Sequence, residues 1–299
     1  MQRRIFLQNS LLTFGAIAFG KQQIMAALAV EPWKITMLSD TLGIFTEKGG
    51  TIAFYISKDG ITVVDAQFPD SAAHLVAELK KRNDQPFHLL INTHHHGDHT
   101  SGNIVFKDLV GRVLAHENSL KNQRAVAEAQ KSVDKQLFPT QIFTTTHNEE
   151  AGNEKIDLHY FGAGHTDGDA VIHFQNNNVA HVGDLVFNRR HPFIDRSAGA
   201  NIKSWIKVLN DTVKKFDKKT VYVFGHAGDG YDVTGNSDAL LLFHDYLGNL
   251  LKVVDTEIKS GRTKEEILKI TEIPGSPQWK GDGIQRGLTA AFEELSATV

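Results

Sequence analysis

The chain has 299 residues, with 41% hydrophobic and 22% charged content, and 32 basic against 35 acidic side chains leave a formal net charge of −3. That balance is ordinary for a globular enzyme, and without a basic block it gives nucleic acid no electrostatic footing. Cysteine is absent while histidine numbers 15; disulfides, thiolate ligands and cysteine nucleophiles are thereby excluded, and the placement of the histidines becomes the question.

Met1 to Leu7 carries Arg3-Arg4, a mostly apolar run from Leu11 to Phe19 follows, and Ala27-Leu28-Ala29 offers an A-x-A exit. A charged start, a short apolar core and a small-residue exit predict a signal peptide over residues 1–29. Residues 30–299 then form the mature domain, and a periplasmic or secreted location follows. The arginine pair before Ile5-Phe6-Leu7 resembles the twin-arginine export signal. Gly15 and Gly20 interrupt the apolar run, which is short for a membrane span, so no stable anchor is expected after cleavage.

Short β-type runs come next, at Ile35 to Leu38, Ile44 to Thr46, Thr51 to Ser57 and Ile61 to Asp65. Gly49-Gly50 and the hairpin signal Asp59-Gly60 separate them. Ala72, Leu75, Val76 and Leu79 lie at helical spacing within Ser71 to Arg82, and Phe87 to Ile91 reads as a buried strand. Further strands are expected at Arg112 to Ala115, Lys155 to Phe161, Ala170 to Phe174, Val179 to Val182 and Val221 to Phe224. Helices are expected at Leu120 to Gln136, Ile202 to Phe216, Ser237 to Lys259, Lys264 to Ile270 and Ile284 to Leu295. Strand pairs alternating with helices suggest sheets covered on their outer faces. An α+β, four-layer αβ/βα sandwich fits this order, although composition alone does not choose it over a doubly wound fold.

The strongest feature follows the strand at Phe87 to Ile91: Thr93-His94-His95-His96-Gly97-Asp98-His99. His94 and His96, two apart on an extended stretch, point the same way and can grip one ion. Gly97 permits the turn that lets Asp98 and His99 face a second. Imidazole with a carboxylate suits zinc. Three later strands end in glycine and then a ligand-type residue: Gly164-His165, Gly183-Asp184 and Gly225-His226. Each pair alone is a common turn, but repeated after one histidine cluster they form a single construction. His95 should face away from the ligands.

The ordered set resembles the metallo-β-lactamase superfamily over nearly the whole mature chain. The resemblance implies two Zn2+ ions: His94, His96 and His165 on the first, Asp98, His99 and His226 on the second, and Asp184 bridging. It implies an exported zinc hydrolase whose metal-bound hydroxide attacks a small carbonyl substrate, with Asp98 orienting the nucleophile. An ester or lactone is favoured. β-Lactam cleavage and an iron-dependent redox activity remain as alternatives. Asp65 and Asp169 are candidates to hold ligand imidazoles in the right tautomer, though Asp65 is equally readable as a turn residue. Asn188, Arg190 and His191, after the bridging aspartate, and Tyr231, after His226, are candidates to meet the substrate. The segments 118–146 and 188–199 are expected to shape the pocket. A small-molecule substrate is the only partner implied.

Overall fold

The computed structural model describes residues 32–297; the expected signal peptide at 1–29 lies outside them. The chain divides after Lys34 into a leading unit and a body, Ile35–Val299. Strands β1 (Lys34–Met37), β2 (Leu42–Thr46), β3 (Ile52–Ser57) and β4 (Gly60–Val64) precede helix α1 (Pro69–Arg82). Then come β5 (Phe87–Ile91), the one-turn helix α2 (Gly97–Thr100), β6 (Arg112–His116), helix α3 (Glu117–Ala129), β7 (Gln141–Phe143), β8 (Thr146–Ala151) and β9 (Glu154–His159). Strands β10 (Val171–Phe174), β11 (Val179–His181) and β12 (Phe187–Asn188) lead to helix α4 (Ile202–Lys215). The chain closes with β13 (Val221–Val223), β14 (His226–Ala227), β15 (Thr234–Gly235), and helices α5 (Ser237–Lys259), α6 (Lys264–Ile267) and α7 (Ile284–Ser296).

Strands β1 to β7 form one sheet in sequence order, and β15-β13-β11-β10-β9-β8 form the second. The first begins as an antiparallel meander and becomes parallel from β4 onward, where α1 and α3 supply the crossovers. Between the sheets lies a core of Ile44, Val64, Leu89, Ile91 and Leu114 from one and Ile156, Leu158, Ile172, Phe174 and Val223 from the other. Alternate residues turn to the opposite faces. On the second sheet, Val171, Ala180, Tyr222 and Phe224 pack against Trp205, Leu209, Phe243, Leu247 and Leu288 of α4, α5 and α7. On the first, α3 lies against β6 and β7. The result is the expected αβ/βα sandwich.

Two departures have local causes. Helix α3 stops at Ala129 rather than Gln136, because Lys131 adopts a left-handed backbone (φ 53°) that a helix cannot continue through. The expected single helix thus ends in a turn and a short 3₁₀ segment, Val133–Lys135. Strands β7, only three residues long, and β8 were not expected. β8 is Thr-His-Asn-Glu-Glu-Ala at the sheet edge, with Thr146, Asn148 and Glu150 exposed, so only one side of it needs to be paired and little of it needs to be apolar.

Candidate metal centre

The site is built where strands of both sheets end. Leaving β5, Asn92 and Asn103 exchange amide hydrogen bonds at 3.0 and 2.8 Å, tying the loop to the segment beyond α2. His96 stands just before α2, and the Thr100 hydroxyl donates back to the His96 carbonyl at 3.0 Å. Asp98 and His99 are therefore carried on a helical turn, while His94 and His96 stay on the extended stretch before it. Across the gap, Thr51 N donates to the Gly225 carbonyl at 2.9 Å, joining the two sheets at this edge, while Gly50 N donates to the Asp98 carbonyl at 3.0 Å within the first.

Two glycines are required by close approach. A Cβ on Gly50 would sit 2.0 Å from His99 Cε1, and one on Gly225 would sit 1.9 Å from Asp184 Oδ1. Backbone thus packs directly on a ring of one group and on the carboxylate shared by both.

The side chains converge in two groups. His94 Nε2 lies 3.1 Å from His96 Nδ1, and His165 Nε2 lies 2.8 Å from the same atom. His226 Nε2 is 3.1 Å from Asp98 Oδ2, and His99 Nε2 is 3.9 Å from it. Asp184 reaches both groups: Oδ2 is 3.4 Å from His165 Nε2 and 3.4 Å from His226 Nε2, and Oδ1 is 3.0 Å from His99 Nε2. All seven expected ligands are therefore brought together.

The outward nitrogens decide what the inward ones carry. His165 Nδ1 donates to the Phe193 carbonyl at 2.7 Å, and His99 Nδ1 donates to Asp65 Oδ2 at 2.7 Å. His96 Nε2 donates to Asp195 Oδ2 at 2.9 Å. The Thr93 hydroxyl gives its proton to Asp65 Oδ2 at 2.7 Å, so toward His94 Nδ1, 3.0 Å away, it acts as an acceptor. With the outer nitrogens protonated, His94, His96 and His165 turn lone pairs on one another across about 3 Å. His99 Nε2 and Asp184 Oδ1 are buried without a well-formed hydrogen bond. Facing lone pairs and orphaned buried polar atoms are the environment that bound cations would satisfy.

The electrostatics agree. Burial, reinforced by neighbouring rings, pushes His94 well below the imidazole range and His165 down to about 3. Burial opposes charge on Asp184, but the positive charges of His226 and His99 outweigh it and hold the carboxylate well below its usual range. At His99 burial is likewise overcome, by Asp184, Asp65 and Asp98, and its pKa rises well above the usual value. Burial is again outweighed at Asp98, lowered to about 2, chiefly by His99 and His226.

Asp65 is more than a turn residue. Its carboxylate also accepts from Thr93 N at 2.8 Å, so through Thr93 and His99 it braces one imidazole of each group. Asp169 does not meet a ligand imidazole: it accepts from Thr166 N and Oγ1 at 2.8 and 2.7 Å and shapes the turn after His165. Burial pushes its pKa up to about 7. His95 turns away from the ligand nitrogens, its Nε2 3.7 Å from Asp195.

A cavity of about 330 Å³ is lined by Asp98, Asp184 and His226 together with Arg190, His191, Phe193, Asp282 and Arg286. Asn188 does not line it, because its amide donates to the Asp232 carbonyl. Tyr231 does not line it either, but stands in a neighbouring groove beside Arg189. The segment 118–146 contributes no wall residue, since most of its first half is α3, packed on the first sheet. Phe193 falls in the segment 188–199 expected to shape the pocket, whereas Asp282, Arg286 and the contact of Asp195 with His96 were not anticipated. Arg286 lies in the first turn of an amphipathic helix, where an arginine reads as solvated surface.

A family model described as the metallo-beta-lactamase superfamily matches residues 46–241. The chain is similar to metallo-beta-lactamase IND-1 of Chryseobacterium indologenes, 24% identical over 227 residues, 75% of this chain and 90% of that protein. It is also similar to metallo-beta-lactamase type 2 of Bacillus cereus, 24% identical over 172 residues, 57% of this chain and 64% of that one. Among solved structures, the metallo-beta-lactamase from Pontibacter korlensis aligns with a TM-score of 0.62 at 20% identity, covering 73% of this chain and 99% of its own. IND-7 aligns at 0.59 and 22% identity, over 72% of this chain and 99% of that one; both are likenesses of fold.

Proposed function

This chain belongs to the metallo-beta-lactamase superfamily and is a metal-dependent hydrolase, and on that premise we propose an exported two-zinc enzyme that cleaves a small ester or lactone bearing an anionic group. The observation that carries the reading is the arrangement of Asp184, whose carboxylate oxygens address both groups of imidazoles. His94, His96 and His165 would hold the first ion, Asp98, His99 and His226 the second, and Asp184 both. When bound, the zinc ions supply Lewis acidity toward a carbonyl oxygen and acidify water toward neutral pH. Asp98, one-third exposed at the cavity floor and ionised, is the chain's own group for accepting a proton from the attacking water at Oδ2. Phe187 and Phe193 give the cavity an apolar wall against the acyl part of a substrate.

Arg190 and Arg286 both line the cavity, and among the described residues no carboxylate is ion-paired with either guanidinium. We propose that they receive the anionic group, beside His191 of the same cavity, whose ring is fixed by a 2.9 Å hydrogen bond to the Tyr246 hydroxyl. Arg286→Ala is expected to lower kcat/KM for an anionic ester about 10-fold to 100-fold, mainly through KM, the loss of one charge-assisted hydrogen bond. A neutral ester of the same acyl group should be cleaved as before; equal losses on both would show that Arg286 does not select charge.

Export is proposed from the pattern of residues 1–29, and among the described residues no helix is long and apolar enough to cross a membrane. The names of the relatives favour a second reading, β-lactam cleavage. Side-by-side kcat/KM on lactones, aryl esters, thioesters and a chromogenic β-lactam separates the two. A preference for the first two classes is expected, and a preference for the β-lactam would replace the ester reading.

A further inference from the structure

We propose that Asp195 is the positioning residue of the first metal group, fixing His96 in the tautomer that offers Nδ1 to the ion; this rests on the two-zinc reading above. Asp195 is buried, at 9% exposure, and its two oxygens are divided between two tasks. Oδ1 accepts from the Ser197 hydroxyl and from Ala198 N at 3.1 Å, capping the short 3₁₀ segment Arg196–Ala198. Capping leaves Oδ2 unused, and that oxygen stands 2.9 Å from His96 Nε2. A carboxylate acceptor there holds the ring proton on Nε2, so the lone pair falls on Nδ1, the atom that faces His94 Nε2 and His165 Nε2.

The same segment serves a second ligand. The Phe193 carbonyl accepts from His165 Nδ1 at 2.7 Å, and Asp195 N donates to the His165 carbonyl at 3.4 Å. Residues 193–195 thus orient two of the three imidazoles of the first group, and in opposite tautomers: His165 protonated at Nδ1, His96 at Nε2. Asp65 holds His99 of the second group directly and reaches His94 only through Thr93. Asp65 thus serves both groups while Asp195 contacts a ligand of the first alone, and loss of Asp195 should weaken one ion and spare the other.

The test combines two measurements. In zinc-loaded wild-type protein, ¹⁵N–¹H spectra of the histidine rings should show His96 protonated at Nε2, and His94 and His165 protonated at Nδ1. Zinc titration of metal-free protein against a competing chelator should then show one of two equivalents bound about 10-fold to 100-fold more weakly by Asp195→Asn, with the other unchanged. Ser197→Ala, which touches only the capping oxygen, should lower the melting temperature and leave both affinities in place. A His96 proton on Nδ1, or two wild-type affinities in Asp195→Asn, would overturn the proposal while leaving the two-zinc reading intact. Wild-type protein that binds no zinc would overturn that reading itself. The spectra decide the tautomer even if the Asn variant does not fold.

Discussion

Asp184→Ala is expected to lower kcat/KM by at least about 10³-fold and to strip zinc from both groups, the largest loss of any single ligand. Each imidazole ligand serves one group, whereas Asp184 presents Oδ2 to His165 and His226 and Oδ1 to His99. It is also 4% exposed, so no water replaces its charge readily. Alanine would leave two sets of imidazoles with no shared anion, and the positive charges of two divalent ions would face one another across the gap. Asp184→Asn, with one neutral oxygen acceptor, should fall between. Plasma emission analysis of the purified variants, beside kcat/KM on the preferred ester, checks both parts. Retention of two zinc ions by Asp184→Ala would remove the bridging role.

Asp65→Ala should have the largest effect on stability. The carboxylate is fully buried and accepts three hydrogen bonds, from Thr93 N, Thr93 Oγ1 and His99 Nδ1. Truncation orphans all three donors in a site that admits no solvent, at a cost of about 3–5 kcal/mol. For a domain of this size that is a fall in melting temperature on the order of 10 °C. The backbone adds to the specificity of the position, since Asp65 itself holds φ 65°, a conformation aspartate tolerates better than most residues. Zinc binding should weaken in both groups, because Thr93 passes the constraint on to His94. Thermal unfolding of the metal-free variant isolates the structural part. A melting temperature within a degree or two of wild type would contradict this account of Asp65.

What was legible in the chain was whatever local spacing encodes. Seven consecutive residues, Thr93 to His99, carry four of the ligands, and their order after a buried strand determines which of them face together. His165, Asp184 and His226 were legible because each follows a strand and a glycine. Of the positioning groups, Asp65 was named from its place at a strand end, but which imidazole it meets, and Asp195 altogether, are contacts across sequence. Asp195 meets His96 across 99 positions, and no spacing rule links them. Gly50 read as part of a turn, yet its missing Cβ makes room for the His99 ring. Asn188 and Tyr231 were chosen for proximity to ligands in sequence, and the backbone turns both away from the cavity: Asn188 bonds to Asp232, and Tyr231 shares a groove with Arg189. Arg286 comes from the far end of the chain and reaches the cavity only because α7 packs against α5. The αβ/βα layering was legible from element order, while the polar edge strand β8 was not, since an edge needs no apolar alternation.

That this chain is a two-zinc hydrolase is tested most directly by counting zinc in the purified protein while following ester and lactone hydrolysis through chelation and zinc restoration. Two zinc ions per chain, turnover that disappears as they are removed, and recovery when zinc is returned are the expected results. Hydrolysis undiminished after complete metal removal, or a protein that takes up no zinc at all, would contradict it.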